Sequence, residues 1–268
     1  MNKDKIIKNH YAKVAKNFGD SGRCTIQDPV IREYELDYLK KEIHLFIQQF
    51  ERKPTVLDLG CGNGYTINEL SKEFPNAFFV GIEPQPELLE IAQSRDLNNA
   101  KFKCGSALDE SYHDYQFDIV ITERVLINLT SADDQEKAFA NIANSMVPGG
   151  VYLMIESFVE PLMKVNKIRK ENLLGDEIVQ SDHNLYMKFS ILRKLQKYGF
   201  FSLPIDDLDA LSPYFFLSRI FHPLTRQAGS KFKENNLIHS LDSSDSFEGM
   251  KGEFLSPIQF LKFAKKSN

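Results

Sequence analysis

The 268-residue chain has no tryptophan and only three cysteines, Cys24, Cys61 and Cys104. An odd number of cysteines with no C-x-x-C spacing excludes a disulfide framework or a cysteine-based zinc site, so no metal is expected. There is no run of about twenty apolar residues, which excludes a membrane-spanning helix. The opening MNKDKIIKNH lacks the apolar segment of a secretory signal. The expected location is therefore the cytoplasm, without membrane insertion. A basic surplus is missing as well: 33 Lys and Arg against 37 Asp and Glu leave a net charge of −4 and a pI near 5.9. That balance disfavours a nucleic-acid partner, because phosphate backbones are met by basic faces. Internal repeats and low-complexity tracts are also lacking. The hydrophobic content of 42% suffices for a full core, and α/β sheets of this size occur as one domain. We expect a single unit over residues 1–268, as a monomer or a homodimer.

The most informative stretch is Val56 to Tyr65, VLDLGCGNGY. An apolar strand runs into Gly60, Gly62 and Gly64, and an amphipathic pattern with Ile67, Leu70 and Phe74 follows. A strand, a glycine turn and a helix N-terminus together make a nucleotide-type pocket. The dinucleotide fingerprint places its third glycine one position later. Here the spacing is shorter, and Asp58 puts an acid just before the turn, which suits a cationic ligand group better than a diphosphate. On its own, G-x-G-x-G also describes an ordinary structural turn. A second apolar run, AFFVGI, ends at Glu83, where a carboxylate can accept both hydroxyls of a ribose. Its structural alternative is a helix-capping acid ahead of Pro84.

Further apolar runs give strands at Lys101 to Cys104, Phe117 to Thr122, Val151 to Glu156 and Phe200 to Ile205, with IQFLKFAKK as the last. Helical patterns lie between the first three strands and between Phe117–Thr122 and Val151–Glu156, which implies a parallel sheet. A helix is predicted over Ala132 to Met146, capped by Thr130 or Ser131 and ended by Pro148, Gly149 and Gly150. Another is predicted over Lys188 to Tyr198, stopping at Gly199. The LDSSDS cluster at Leu241 to Ser246 reads as a loop.

DLGCGNG at Asp58 to Gly64, the acid Glu83, the FDIVITERVLINL run and VPGG at Val147 to Gly150 appear in an order that resembles the class I S-adenosylmethionine-dependent methyltransferases. The resemblance covers Thr55 to Ser157. It implies a Rossmann-like seven-stranded α/β sheet of order 3-2-1-4-5-7-6, strand seven antiparallel. It also implies S-adenosylmethionine as cofactor, held around Asp58, Gly60, Cys61, Gly62, Gly64, Glu83, Pro84, Ser106, Ala107 and Glu123. Ser106 stands where this family usually carries an acid near the adenine, and Asp109 is a substitute further along. Tyr11 and Phe18 resemble an aromatic helix that folds over the cofactor in small-molecule methyltransferases; packing on the sheet is the alternative.

Three segments lie outside the common core: an N-terminal helical cap over 1–50, a substrate-side insertion over 157–187, and an aromatic insertion over 206–252 between strands six and seven. They hold the candidate acceptor contacts Arg32, Asn166, Arg169, Asn184 and Tyr186, joined by Asn128 from the turn after strand four. Arg32, Arg124 and Arg169 are expected to form a basic pocket for a carboxylate or phosphate, since a guanidinium stays protonated. For catalysis the candidates are His183 and Glu156 as bases and Arg124 as a fixed cation. A histidine in a loop is also, more plainly, a solvated side chain. DPVIREYE, ERVLINL, the Asn166/Arg169 pair and HNLY resemble a bacterial subgroup associated with surface-polysaccharide gene clusters. This implies a small-molecule acceptor such as a sugar or a phosphate-bearing precursor. That pattern often has Trp before the His-Asn pair, where this chain has Asp182. The rival readings are an NAD-dependent oxidoreductase and a cofactor-binding protein with a degenerate site.

Overall fold

The computed structural model describes residues 3–24, 26–110, 112, 114–205, 209–227 and 252–267. Its centre is β1, Thr55–Leu59, buried at four of five positions. That is how a strand covered on both faces of a parallel sheet should read. On one side of it lie β2 (Phe78–Glu83) and β3 (Ala100–Cys104). On the other lie β4 (Phe117–Glu123) and β5 (Met146–Ser157), all parallel. The C-terminal β7 (Ile258–Lys265) runs antiparallel between β5 and the short edge strand β6 (Phe200–Leu203). The order is β3-β2-β1-β4-β5-β7-β6, as the family resemblance implies.

Alternation along the strands divides the core in two. Val56, Phe79, Ile119, Ile121, Leu153 and Ile155 meet α2 (Pro29–Phe50) and α3 (Tyr65–Glu73) through Tyr38, Leu39, Ile43, Ile67 and Leu70. Leu57, Leu59, Val80, Ile82, Val120 and Met154 meet α5 (Ala132–Ser145) through Ala138, Phe139 and Ile142. Fully buried side chains such as Leu39 and Ile43 each contribute on the order of 2 kcal/mol. The long α2 therefore belongs to the sheet's own packing layer. It starts cleanly because Asp28 caps Val30 N–H at 3.1 Å and Pro29 occupies the first helical position. A small separate cluster of Val14, Ala15, Cys24 and Leu88 seats α1 (Lys3–Phe18) on α4 (Pro86–Gln93).

Two boundaries differ from the sequence expectation. Pro148-Gly149-Gly150 does not end α5: the helix stops at Ser145, and the buried Met146 turns extended to pair with Phe117. Val147 to Gly150 thus lies within β5, where the register skips between Phe117 and Ile119. The segment before Gly199 is a tighter 3₁₀ helix, Phe189–Tyr198, closed as expected by Gly199 in the left-handed region. Of the 206–252 insertion, Ser212–Phe216, Leu217–Phe221 and His222–Gln227 run on as one helical rod with a wide π-type turn in its middle. The LDSSDS loop falls outside the described residues. No helix among the described residues is long and apolar enough to cross a membrane.

Candidate active site

Where β1 gives way to α3, a Cβ on Gly60 would stand 2.4 Å from Val125 Cγ2. Only glycine lets the turn after β4 approach this closely, and its φ of 78° favours glycine as well. Gly64, at φ 71°, is the left-handed cap of α3, packed against Ala92 and Phe102. The turn is tied to β2 by Gly60 and Cys61 N–H groups donating to Ile82 O at 2.7 and 3.0 Å. Gly62 N–H donates to Glu83 Oε2 at 2.9 Å, and Gln85 N–H to Glu83 Oε1 at 2.8 Å. Burial pushes the Glu83 carboxyl up to about 7 in spite of those two donors.

A cavity of about 360 Å³ opens beside this turn. Gly60, Gly62, Glu83 and Pro84 line it, together with Ser106, Ala107 and Leu108 after β3, Glu123 at the end of β4, Arg124, Val125 and Asn128 after it, and Ile7, Lys8 and Tyr11 from α1. Ser106 N–H donates to Asp109 Oδ2 at 2.7 Å and Leu108 N–H to Ser106 Oγ at 3.1 Å. Asp109 therefore shapes the turn from behind while Ser106 faces the cavity. Asp58 and Cys61 are buried and do not line the cavity. Burial, then the Glu123 charge, pushes the Asp58 carboxyl well up, and its Oδ2 has no partner.

Between α2 and the end of β4 stands a crossed quartet. Arg32 Nη1 donates to Glu123 Oε1 at 3.0 Å and lies 3.4 Å from Glu35 Oε2, while Arg124 pairs with Glu35 Oε1. Thr66 Oγ1 donates to Glu123 Oε2 at 2.6 Å. Arg124 sits at φ 58°, its N–H fixed on Ile155 O at 2.7 Å, and burial with the Arg32 charge holds its guanidinium down to about 9. The basic pocket expected of Arg32, Arg124 and Arg169 is not assembled. Two of the three are neutralised inside the quartet. The third, Arg169, donates to Arg219 O, Leu174 O and Asp176 O, tying the 157–187 insertion to the π-type turn.

Glu156 also has a task other than that of a base. Its Oε1 accepts from Val125 and Leu126 N–H at 3.0 Å each, and its Oε2 from Ile127 N–H at 3.4 Å. With no exposure at all, it anchors the turn after β4. His183 stacks on His10 with ring centroids 3.9 Å apart and edges onto Tyr11 at 6.0 Å, so it fastens α1 and does not line the cavity. Asn166 exchanges two hydrogen bonds with Ile178, at 2.8 and 2.9 Å, and so staples its own insertion. Asn184 N–H donates to Ser181 O at 2.9 Å, and its buried Oδ1 has no partner. Tyr186 hydrogen-bonds Ser157, and its hydroxyl feels the Arg124 charge. Asn128 lines the cavity, donating to Tyr11 Oη at 2.9 Å and Arg124 O at 2.8 Å.

Sequence reasoning passed over Asn63 and Arg95. Asn63 Nδ2 donates to Gly19 O and Ser21 O at 2.8 and 3.0 Å. Arg95 donates to Asn63 O and Asp20 O, each at 2.7 Å. Together they clamp the α1–α2 linker onto the glycine turn. Nothing local in the sequence marks either residue for this.

Five carboxylates, Glu35, Asp58, Glu83, Glu123 and Glu156, surround two arginines here. Both arginines are engaged inside the quartet, so a diphosphate would find no guanidinium to hold it there, whereas a sulfonium nucleoside needs none. The unpartnered buried oxygen of Asp58 and the close-packed Gly60 cradle fit S-adenosylmethionine. Glu83 would hold its ribose hydroxyls, Ser106 to Leu108 its base, and the glycine turn above Asp58 its amino-acid end.

Comparison with known proteins agrees. A family model described as "Methyltransferase domain" matches residues 50–229. O-methyltransferase 3 of Dictyostelium discoideum is 26% identical over 232 residues, covering 81% of this chain and 47% of that protein. An uncharacterized methyltransferase of Schizosaccharomyces pombe is 31% identical over 127 residues, covering 44% of this chain and 41% of that protein. The chain thus spans less than half the length of these curated relatives. A putative sarcosine dimethylglycine methyltransferase from Galdieria sulphuraria shares the fold at a TM-score of 0.55 and 16% identity, over 88% of this chain and 86% of that one. With the matched domain spanning the glycine turn, the Glu83 strand and the quartet's β4 half, this chain belongs to the methyltransferase-domain family.

Proposed function

We propose that the protein transfers a methyl group from S-adenosylmethionine to a small-molecule acceptor. The observation that carries this is the cavity beside the glycine turn, where the close-packed Gly60 and the Glu83 carboxyl at the end of β2 stand together. When bound, the cofactor supplies an electrophilic methyl on a positively charged sulfur. The chain's part is to orient, since a near-attack geometry supplies much of the rate. Oxygen as the methylated atom is favoured by the relationship to O-methyltransferase 3. The subgroup resemblance suggests a saccharide precursor of cell-surface polysaccharide. A phosphate-bearing acceptor loses its support, because the arginines meant to hold it are engaged elsewhere.

The test is calorimetric titration with S-adenosylmethionine, S-adenosylhomocysteine and NAD, on the wild type and on Glu83→Ala. Micromolar binding of the first two, lost in the variant, is the expected result. Binding of NAD alone would replace this reading with that of an oxidoreductase.

A further inference from the structure

Each acid that lines the cofactor cavity among the described residues already accepts two donors, and Glu156 behind it accepts three. Glu123 takes Arg32 and Thr66, Glu83 takes Gly62 and Gln85, and Glu156 takes Val125, Leu126 and Ile127. His183 is stacked on His10 away from the lining. With Glu83 assigned to the ribose of the cofactor and Glu123 committed to Arg32 and Thr66, neither lining acid is left to serve the acceptor as a base. One donor is presented instead. Asn128 Nδ2 must face Arg124 O, an obligate acceptor at 2.8 Å, so it is also Nδ2 that meets Tyr11 Oη at 2.9 Å. The Tyr11 oxygen is thus the acceptor in that contact, and its own proton is left to give to something else. Glu83 from β2, Arg124 from the turn after β4 and Glu156 from β5 act electrostatically on this hydroxyl, while His10 and His183 edge onto its ring. Burial pushes the Tyr11 phenol up to about 12, so it remains a donor across the physiological range.

We propose that the methylated group is a carboxylate oxygen, for instance that of a sugar acid, positioned by the hydroxyl of Tyr11. This rests on the methyltransferase reading above and narrows its acceptor. A carboxylate arrives ionised and carries about four lone-pair sites. One can accept from Tyr11 while another attacks. A neutral amine has a single lone pair, which a donor would occupy. A sugar hydroxyl would need a base. In the transfer, an oxygen lone pair forms the new C–O bond as the methyl–sulfur bond breaks onto sulfur, leaving a neutral thioether; no proton moves.

The experiment compares glucose, glucosamine and glucuronate, with short di- and tricarboxylates and fatty acids beside them, using isotopically labelled methyl donor. Mild alkali then sorts the products, because a methyl ester releases labelled methanol whereas ethers and methylamines do not. Expected, all at saturating S-adenosylmethionine, are alkali-labile label on one or more acids, a kcat/KM for the acid that is flat between about pH 6 and 9, and a roughly tenfold or greater loss of that kcat/KM in Tyr11→Phe. Alkali-stable label, or no ester from any acid in the set, overturns the proposal. A protein that binds neither S-adenosylmethionine nor S-adenosylhomocysteine fails the underlying methyltransferase reading instead.

Discussion

Replacing Glu83 with Gln should move stability and cofactor affinity in a way that separates charge from shape. In the folded protein this carboxyl titrates at about 7, against 4.5 for an ordinary glutamate. The difference of about 2.5 units corresponds to about 3 kcal/mol. Because the folded value is raised, the favourable contribution is full below about pH 4.5 and is lost as pH rises through 7. Above pH 7 the wild type therefore holds a buried charge that Gln lacks. Gln brings a fixed cost of its own. Its NH₂ must face one of the two backbone N–H groups that now donate to Glu83, at 2.9 and 2.8 Å, costing on the order of 1–2 kcal/mol at any pH. Glu83→Gln should then be less stable than wild type at pH 5 by about that amount, and equal or more stable at pH 8. Denaturant unfolding of both proteins at the two pH values measures this as a change of about 2.5 kcal/mol in their difference, because part of the burial penalty is already present at pH 5. At pH 8 the variant should bind S-adenosylmethionine on the order of a hundredfold more weakly, since charge-assisted bonds to the ribose are lost. Stability differences that stay parallel between pH 5 and 8 would refute the reasoning, because they would mean that the carboxylate pays no burial penalty.

Two further substitutions probe the frame around the cavity. Gly60→Ala places a Cβ 2.4 Å from Val125 in a left-handed backbone; we expect a loss of about 2–4 kcal/mol by thermal or chemical unfolding, with weakened cofactor binding in calorimetry. Glu35→Gln leaves Arg124 and Arg32 without their shared carboxylate and should cost about 3 kcal/mol or more in the same unfolding assay. A loss below about 1 kcal/mol would show that the quartet contributes little.

The parts of the site legible in the sequence are those whose chemistry is local. Three glycines after an apolar strand describe a turn whatever surrounds it, and Glu83 follows from strand length and spacing. The misread residues do their work across long separations. Arg124 finds Glu35 eighty-nine positions away, so a pair of arginines that look like anion ligands become internal cations. Arg169 and Asn166 present the right groups for an acceptor, yet their partners are backbone atoms of loops that only the folded chain brings near. Glu156, read as a base, is recruited by three N–H groups of a turn whose shape no local pattern marks. VPGG misleads for a related reason. Pro and Gly end helices in isolation, but the burial of Met146 beside Phe117 decides first where α5 stops.

The crossed quartet also bears on how this chain can drift over generations. Each arginine is balanced by a glutamate on the other segment, so changing any one of Arg32, Glu35, Glu123 or Arg124 strands a buried charge. Such positions cannot wander singly. Relatives that keep the quartet should carry it as a block or exchange it in matched pairs, a charge coupling added to the apolar packing that already joins α2 to β4.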